Sequence, residues 1–144
     1  MPANSSEMVY ITRREHFSAA HRLFLQEYTD EKNFDIFGKC SNPNWHGHNY
    51  ILFVTVKGGA DPKTGLVIHL RHVSKLIDDK ILKKVDHKNL NIEVDFLKGK
   101  VPTSENVAVG IWNELDSDIR KIGGVLHCVR LEQSENNIIE YYGE

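Results

Sequence analysis

Four segments of the chain carry the hydrophobic pattern of β-strands. Residues 9–21, 50–57, 125–134 and 138–142 are rich in β-branched and aromatic side chains and are separated by turn-forming residues, which is typical of strands. The segment 50–57 is apolar on both faces, so we expect both faces to be covered. Strands that follow one another along a chain commonly pair as hairpins, and the sequence therefore predicts an antiparallel four-stranded sheet.

Between the second and third strands, two segments show the period of amphipathic helices. Across residues 73–85, apolar side chains recur at intervals of three and four opposite lysines and aspartates, and the polar residues 86–91 end this helix. The stretch Pro102-Thr103-Ser104-Glu105 offers a cap candidate and a first-turn acid for the next helix, whose apolar stripe covers residues 107–119. The predicted order ββααββ is an α+β fold with both helices on one face of the sheet.

Residues 25–44 combine charged side chains with turn formers and show no strand or helix period. We expect a long irregular loop of the kind in which functional residues concentrate. Phe34, Ile36 and Phe37 are expected to anchor it to the core. The loop also contains Cys40, one of two cysteines in the chain.

The composition predicts a single domain over residues 1–144, with residues 1–8 as a flexible N-terminus. A chain of 144 residues with 40% hydrophobic residues can bury a core without disulfides, and two cysteines form no disulfide framework. A net charge of −2 leaves no basic excess for nucleic acid. No apolar run suits a signal peptide or a membrane span. We therefore expect a cytoplasmic protein that binds neither nucleic acid nor membranes.

The motif His46-Gly47-His48 is the clearest chemical signal. In an extended strand, side chains two residues apart point to the same side, so the two imidazoles converge. A third ligand from elsewhere in the chain would complete a three-ligand site with one open position, as in catalytic zinc sites. His21 at the end of the first strand and Cys40, six residues before His46, support this interpretation. Ordinary strand or surface histidines are the alternative, because the chain contains eight histidines.

Other polar residues allow both a catalytic and a structural interpretation. Cys40 could be a nucleophile or proton acceptor, or an inert buried thiol. Asp86 and His87 could form a general base with its orienting carboxylate, or could cap a helix end. Further polar residues at element ends could anchor a ligand or face solvent: Glu105, Glu132 and Gln133.

Several motifs occur in a fixed order along the chain. They are Phe17-Ser18-Ala19-Ala20-His21-Arg22-Leu23, Phe37-Gly38-Lys39-Cys40, His46-Gly47-His48-Asn49-Tyr50, Asp86-His87-Lys88-Asn89-Leu90, Thr103-Ser104-Glu105-Asn106, and Asn136-Asn137-Ile138 with Tyr142-Gly143-Glu144. Together they resemble the 6-pyruvoyltetrahydropterin synthase family from about residue 9 to the C-terminus. An ordered set of motifs is far more specific than one His-x-His pair.

The resemblance implies a tunnelling fold, in which the sheets of three subunits join into a barrel and two trimers stack as a hexamer. It implies a zinc-dependent lyase of tetrahydrobiopterin biosynthesis that converts 7,8-dihydroneopterin triphosphate into 6-pyruvoyltetrahydropterin and triphosphate. Zn²⁺ on the side-chain oxygens of the substrate would acidify the neighbouring C–H bonds. The matching residues are His21, His46 and His48 for the zinc ligands, Cys40 for the catalytic proton acceptor, and Asp86 and His87 for its partners.

The chain departs from the family at three positions. Trp45 stands where relatives often have a small residue, and His69 stands where they often have Asn or Asp. The pterin-anchoring glutamate of the family falls on Gln133, with Glu132 beside it. We expect Gln133 to be the anchor, and the other residues expected to bind the substrate are Glu132, Thr103 and Glu105.

Two alternatives remain open at this point. A 6-carboxytetrahydropterin synthase has the same fold and substrate, but its cysteine usually lies closer to the His-Gly-His motif than Cys40 does. The other alternative is a zinc-containing module that binds a pterin without turnover, which Gln133 makes conceivable. The presence of Cys40, Asp86 and His87 together argues against such a module.

Overall fold

The computed structural model describes residues 7–144, and a five-stranded sheet lies at its centre. The strands are β1 (Met8–His21), β2 (His46–Gly59), β3 (Lys88–Asn89), β4 (Val125–Ser134) and β5 (Asn137–Tyr141), in the spatial order β3-β1-β2-β4-β5. All four segments predicted as strands form strands. Met8 already belongs to β1, which corrects the predicted flexible stretch 1–8, while residues 1–6 lie outside the described part of the chain.

The sheet is mixed rather than purely antiparallel. β1 and β2 pair antiparallel over their whole length, and β2–β4 and β4–β5 are also antiparallel. β3 pairs in parallel with β1 at Ala19 and Ala20. The prediction of a purely antiparallel sheet of four strands is therefore wrong, because the sheet has a fifth strand and that strand is parallel to its neighbour. A strand of two residues is too short to show an alternating pattern in the sequence. Its pairing with β1 depends on where the preceding helix ends.

Both predicted helices are present and pack on the same face of the sheet. The first runs from α2 (Leu70–Ile77) through a π-helical segment (Asp78–Leu82) into α3 (Lys83–Val85), and the second is α4 (Ser104–Lys121). The predicted stripe of the first helix is buried at Val73, Ile77, Ile81 and Val85. No helix within residues 7–144 combines the length and apolar character needed to cross a membrane.

The segment 25–44 is more ordered than the sequence predicts. It contains α1 (Asp30–Phe37) and a 3₁₀ turn (Gly38–Ser41). Phe34 and Ile36 are 58% and 50% exposed, and Phe37 is only half-buried. The prediction that these three side chains anchor a loop to the core is therefore wrong.

A polar side chain anchors this segment instead. Asn33 is 1% exposed. Its amide oxygen accepts a hydrogen bond from the Leu25 N–H, and its amide nitrogen donates to the carbonyls of Leu25 and Tyr28. Because the amide oxygen and the amide nitrogen are both hydrogen-bonded, burial leaves neither polar atom of this side chain unpaired.

The two faces of the sheet differ in burial. On the helix face, the even-numbered β2 residues from Tyr50 to Val56 are at most 1% exposed and join the helices in one apolar cluster. On the opposite face, which we call the open face, Ile51 and Phe53 are half-buried. Within a single chain, the prediction that both faces of this strand are covered holds for the helix face only.

Candidate active site

Three histidines converge on the helix face at one end of the β1–β2 pair. The register places His21 opposite His46 and Ala19 opposite His48, so strand alternation puts all three imidazoles on the same side as Tyr50. One nitrogen of each ring lies within 4.8 Å of the corresponding nitrogens of the other two. The residues predicted as metal ligands therefore form one compact cluster, which we call the three-histidine cluster.

A backbone carbonyl fixes the orientation of His21. Its Nδ1 lies 2.9 Å from the carbonyl oxygen of Pro102, and because a carbonyl only accepts, Nδ1 carries the proton and Nε2 keeps its lone pair. The Nε2 atoms of His21, His46 and His48 are buried and have no hydrogen-bond partner within residues 7–144. Buried polar atoms are almost always partnered, so the cluster fits a metal ion.

The environment keeps the three rings neutral. Burial lowers the pKa of His21 from 6.5 to about 4, against the opposing effect of the Pro102 carbonyl. Burial also lowers the pKa of His46 and of His48, and for His48 the proximity of His46 adds to the effect. Neutral imidazole is the form that binds a metal ion.

Cys40 lies in the turn that follows α1 and joins the chain beyond β1 through its backbone. It is half-buried in the turn Gly38–Ser41, and its carbonyl accepts a hydrogen bond from the Leu23 N–H at 2.9 Å. Burial raises the pKa of Tyr50, and negative charge on Cys40 raises it further. The Tyr50 hydroxyl oxygen is 3.5 Å from His21 Nδ1. Leu23 is two residues beyond His21, so the turn that holds Cys40 is hydrogen-bonded to the chain just after this candidate ligand.

Asp86 and His87 lie at the edge of the sheet between α3 and β3. The Asp86 carboxylate accepts the Ser18 N–H at 2.9 Å, which is the main reason its pKa is lowered, and lies 3.1 Å from His87 Nδ1. The His87 side chain is 82% exposed and lines a groove of about 520 Å³ with Ser18 and His48. The pair has the geometry of a base and its orienting carboxylate, but no hydrogen bond within residues 7–144 joins it to Cys40.

Gln133 and Glu132 point to opposite faces of the sheet. The amide oxygen of Gln133 accepts a hydrogen bond from the hydroxyl of Ser104 at 2.5 Å, which places Gln133 on the helix face beside the start of α4. Glu132 lies on the open face, where Arg130 donates to its carboxylate at 3.0 Å. The pairing with β5 shifts between Glu132 and Ser134, but this shift does not bring Glu132 to the helix face.

Thr103 and Glu105 stand at the start of α4. The Thr103 hydroxyl accepts the Asn106 N–H as the helix cap, and Glu105 is exposed in the first turn. Sequence reasoning missed the hydroxyl of Ser104 and the carbonyl of Pro102 as contacts of the site. Ser104 belongs to a motif quoted above, so a signal existed, whereas a backbone carbonyl leaves no signal in a sequence.

Fold and site together define an α+β domain with a three-histidine cluster suited to a metal ion. A family model described as 6-pyruvoyl tetrahydropterin synthase matches residues 10–144. The chain is 47% and 46% identical over 134 residues to 6-pyruvoyl tetrahydrobiopterin synthases from Pongo abelii and Homo sapiens, with 93% of this chain and 91% of each relative covered. It aligns with the solved structure of the Caenorhabditis elegans 6-pyruvoyl tetrahydropterin synthase at a TM-score of 0.90 and 39% identity, covering 99% of this chain and 100% of that chain. The chain belongs to the 6-pyruvoyl tetrahydropterin synthase family, which confirms the resemblance of its motifs.

Proposed function

We propose that this protein is a lyase of tetrahydrobiopterin biosynthesis that converts 7,8-dihydroneopterin triphosphate into 6-pyruvoyltetrahydropterin. Triphosphate is eliminated, and protons are rearranged along the side chain of the pterin. The observation that carries the proposal is the set of buried, unpartnered Nε2 atoms of His21, His46 and His48 in a chain of this family. We place the reaction in the cytoplasm, which agrees with both cysteines being free thiols.

We assign zinc to the three-histidine cluster. Three neutral imidazoles with one open position suit Zn²⁺ in a catalytic site. A bound zinc ion would act as a Lewis acid towards the side-chain oxygens of the substrate. The hydrogen bond from His21 Nδ1 to the Pro102 carbonyl leaves the lone pair of Nε2 as the one that would bind the ion.

The protein groups supply proton transfer and orientation. Cys40 is the proposed acceptor for the proton removed from the substrate side chain, because its turn is hydrogen-bonded to Leu23, two residues beyond the candidate ligand His21. Asp86 holds His87 through the contact between its carboxylate and Nδ1. Gln133 is the proposed pterin anchor, since it lies on the same face of the sheet as the cluster. The remaining proposed substrate contacts are Thr103 and Glu105, whereas Glu132, which was also expected from the sequence, lies on the open face and is not proposed as a contact within the chain.

We further propose a hexamer in which the sheets of three subunits join into a barrel and two trimers stack. β1 pairs on its outer side with β3 only at Ala19 and Ala20, and β5 is at the opposite edge of the sheet. Long unpaired edges invite pairing with another chain, and the half-buried Ile51 and Phe53 on the open face would become covered. Asp86 and His87 lie at an edge, where a neighbouring subunit would meet them.

One experiment tests the reaction. Purified protein is incubated with 7,8-dihydroneopterin triphosphate, and the products are identified by mass. We expect 6-pyruvoyltetrahydropterin and triphosphate. A 6-carboxytetrahydropterin product would establish the alternative enzyme, and bound but unchanged substrate would establish a pterin-binding module.

A further inference from the structure

A second groove lies beside the three-histidine cluster. Its volume is about 480 Å³, and its walls include Phe24, Trp45, Lys100 and Pro102; we call it the Lys100 groove. Trp45 directly precedes His46, and the Pro102 carbonyl is the hydrogen-bond acceptor for His21. Two lining residues of the groove therefore contact candidate metal ligands, Trp45 through a peptide bond and Pro102 through a hydrogen bond.

The Lys100 groove and Gln133 lie at opposite ends of the cluster. The register of β2 and β4 ends with Glu132 beside Ile51, so Gln133, the next residue, lies level with Tyr50, two residues after His48. Trp45 lies just before His46. At about 3.3 Å per residue, the path along β2 from Tyr50 to Trp45 is roughly 16 Å. An elongated molecule held at the cluster by its middle would have one end near Gln133 and the other in the groove.

The two ends offer different chemistry. At the Gln133 end, the side chain is an uncharged amide bound to the hydroxyl of Ser104, which is 6% exposed. In the groove, Lys100 is exposed and forms no ion pair with any of residues 7–144. An uncharged heterocycle suits the first end, and an anion suits an open groove with an unpaired ammonium group.

Trp45 is held as a wall between the cluster and the groove. Its backbone has φ +68°, a conformation that a bulky residue rarely adopts. The indole of Trp45 packs edge to face against Phe24, with ring centroids 6.1 Å apart. The guanidinium of Arg22 lies over the Phe24 ring, 4.1 Å from its centroid. Backbone strain that persists next to a site points to a role in that site.

We propose that the Lys100 groove is the subsite for the triphosphate tail of the substrate, with Lys100 as the cation that binds it and Trp45 as the wall that directs the tail into the groove. This assignment rests on the proposed function, because that function supplies a substrate with a neutral ring at one end and a polyanion at the other. The side-chain oxygens between the two ends then fall at the three-histidine cluster.

The test compares two non-reacting ligands, neopterin triphosphate and neopterin, by fluorescence titration of the zinc-loaded protein. The dissociation constant of neopterin divided by that of neopterin triphosphate measures how much the tail contributes to binding. Lys100→Gln should reduce this ratio about tenfold, as expected for one charge-assisted hydrogen bond, and leave neopterin binding unchanged. Trp45→Gly should also reduce the ratio. The matched control is Lys63→Gln, which removes an exposed lysine from the loop between β2 and α2 and should leave both constants unchanged.

Each outcome decides one question. The assignment would be overturned if Lys100→Gln had the same ratio as the wild type and Lys63→Gln. It would also be overturned if Lys100→Gln lost affinity equally for both ligands. If the tail depends on Lys100 but the wild-type protein forms no 6-pyruvoyl product, the groove assignment stands and the proposed reaction fails.

Discussion

Gly47, between two of the candidate metal ligands, offers the sharpest test of how the strand pair builds the site. A Cβ atom added at Gly47 would lie 3.2 Å from the carbonyl oxygen of Ala19 on β1. That atom belongs to the backbone of a paired strand, so the contact can be relieved only if the two strands separate by a few tenths of an ångström. Metal–ligand distances tolerate only about 0.2 Å, and His46 and His48 flank the substitution.

Gly47→Ala should therefore damage metal binding more than folding. We expect a loss of about 10–100-fold in zinc affinity, the range seen when groups that orient metal ligands are disturbed, and a stability loss of about 1 kcal/mol from overpacking. Zinc affinity is measured by competition with a chromophoric chelator, and stability by thermal unfolding of the metal-free protein.

Gly58→Ala is the matched control on the same strand. Its Cβ would lie 2.8 Å from Cγ1 of Val67, at the end of the β1–β2 pair far from the histidines, so it should cost stability without reaching the cluster. Wild-type zinc affinity in Gly47→Ala would refute the idea that strand spacing sets the cluster geometry. An equal loss in both variants would show that general destabilisation is the cause.

Four further predictions follow from the proposed roles. His48→Ala should lose bound zinc by metal analysis, and full zinc content with full turnover would show that His48 is not a ligand. Cys40→Ala should lower kcat by about 10²–10⁴-fold with pterin affinity kept; an unchanged kcat would remove Cys40 from the mechanism. Gln133→Glu should tighten neopterin binding about tenfold, because the carboxylate keeps the Ser104 contact and frees a second acceptor oxygen, whereas Glu132→Gln should change nothing; the reverse pattern would make Glu132 the anchor. Light scattering should give the mass of six chains, and a stable active monomer would contradict the barrel.

Four of the five strands and the two long helical segments were predictable because their signal is local. The predicted segment 125–134 coincides with β4, and the predicted first strand differs from β1 only by Met8. α1 was missed although Thr29 caps it and Asp30 follows in its first turn. Its buried residue is the polar Asn33, and two of its three apolar residues, Phe34 and Ile36, are exposed, so a search for an apolar stripe finds nothing.

The site was only partly predictable for a related reason. Strand alternation is enough to place His46 and His48 side by side, whereas the position of His21 depends on the register of a pairing with residues far along the chain. The carbonyl of Pro102 and the edge position of His87 are consequences of tertiary structure. No local pattern predicts either of them.

The register of β1 and β2 is fixed by the same alternation that builds the cluster. Phe17 pairs with Tyr50, and the two rings stack on the helix face with centroids 4.8 Å apart. A slip of one residue would turn every β1 side chain to the other face relative to β2, which would expose Phe17 and bury Ser18. His21 would leave the cluster in the same step. The apolar core therefore selects the one register in which the three imidazoles meet, so the metal site needs no separate device to assemble it.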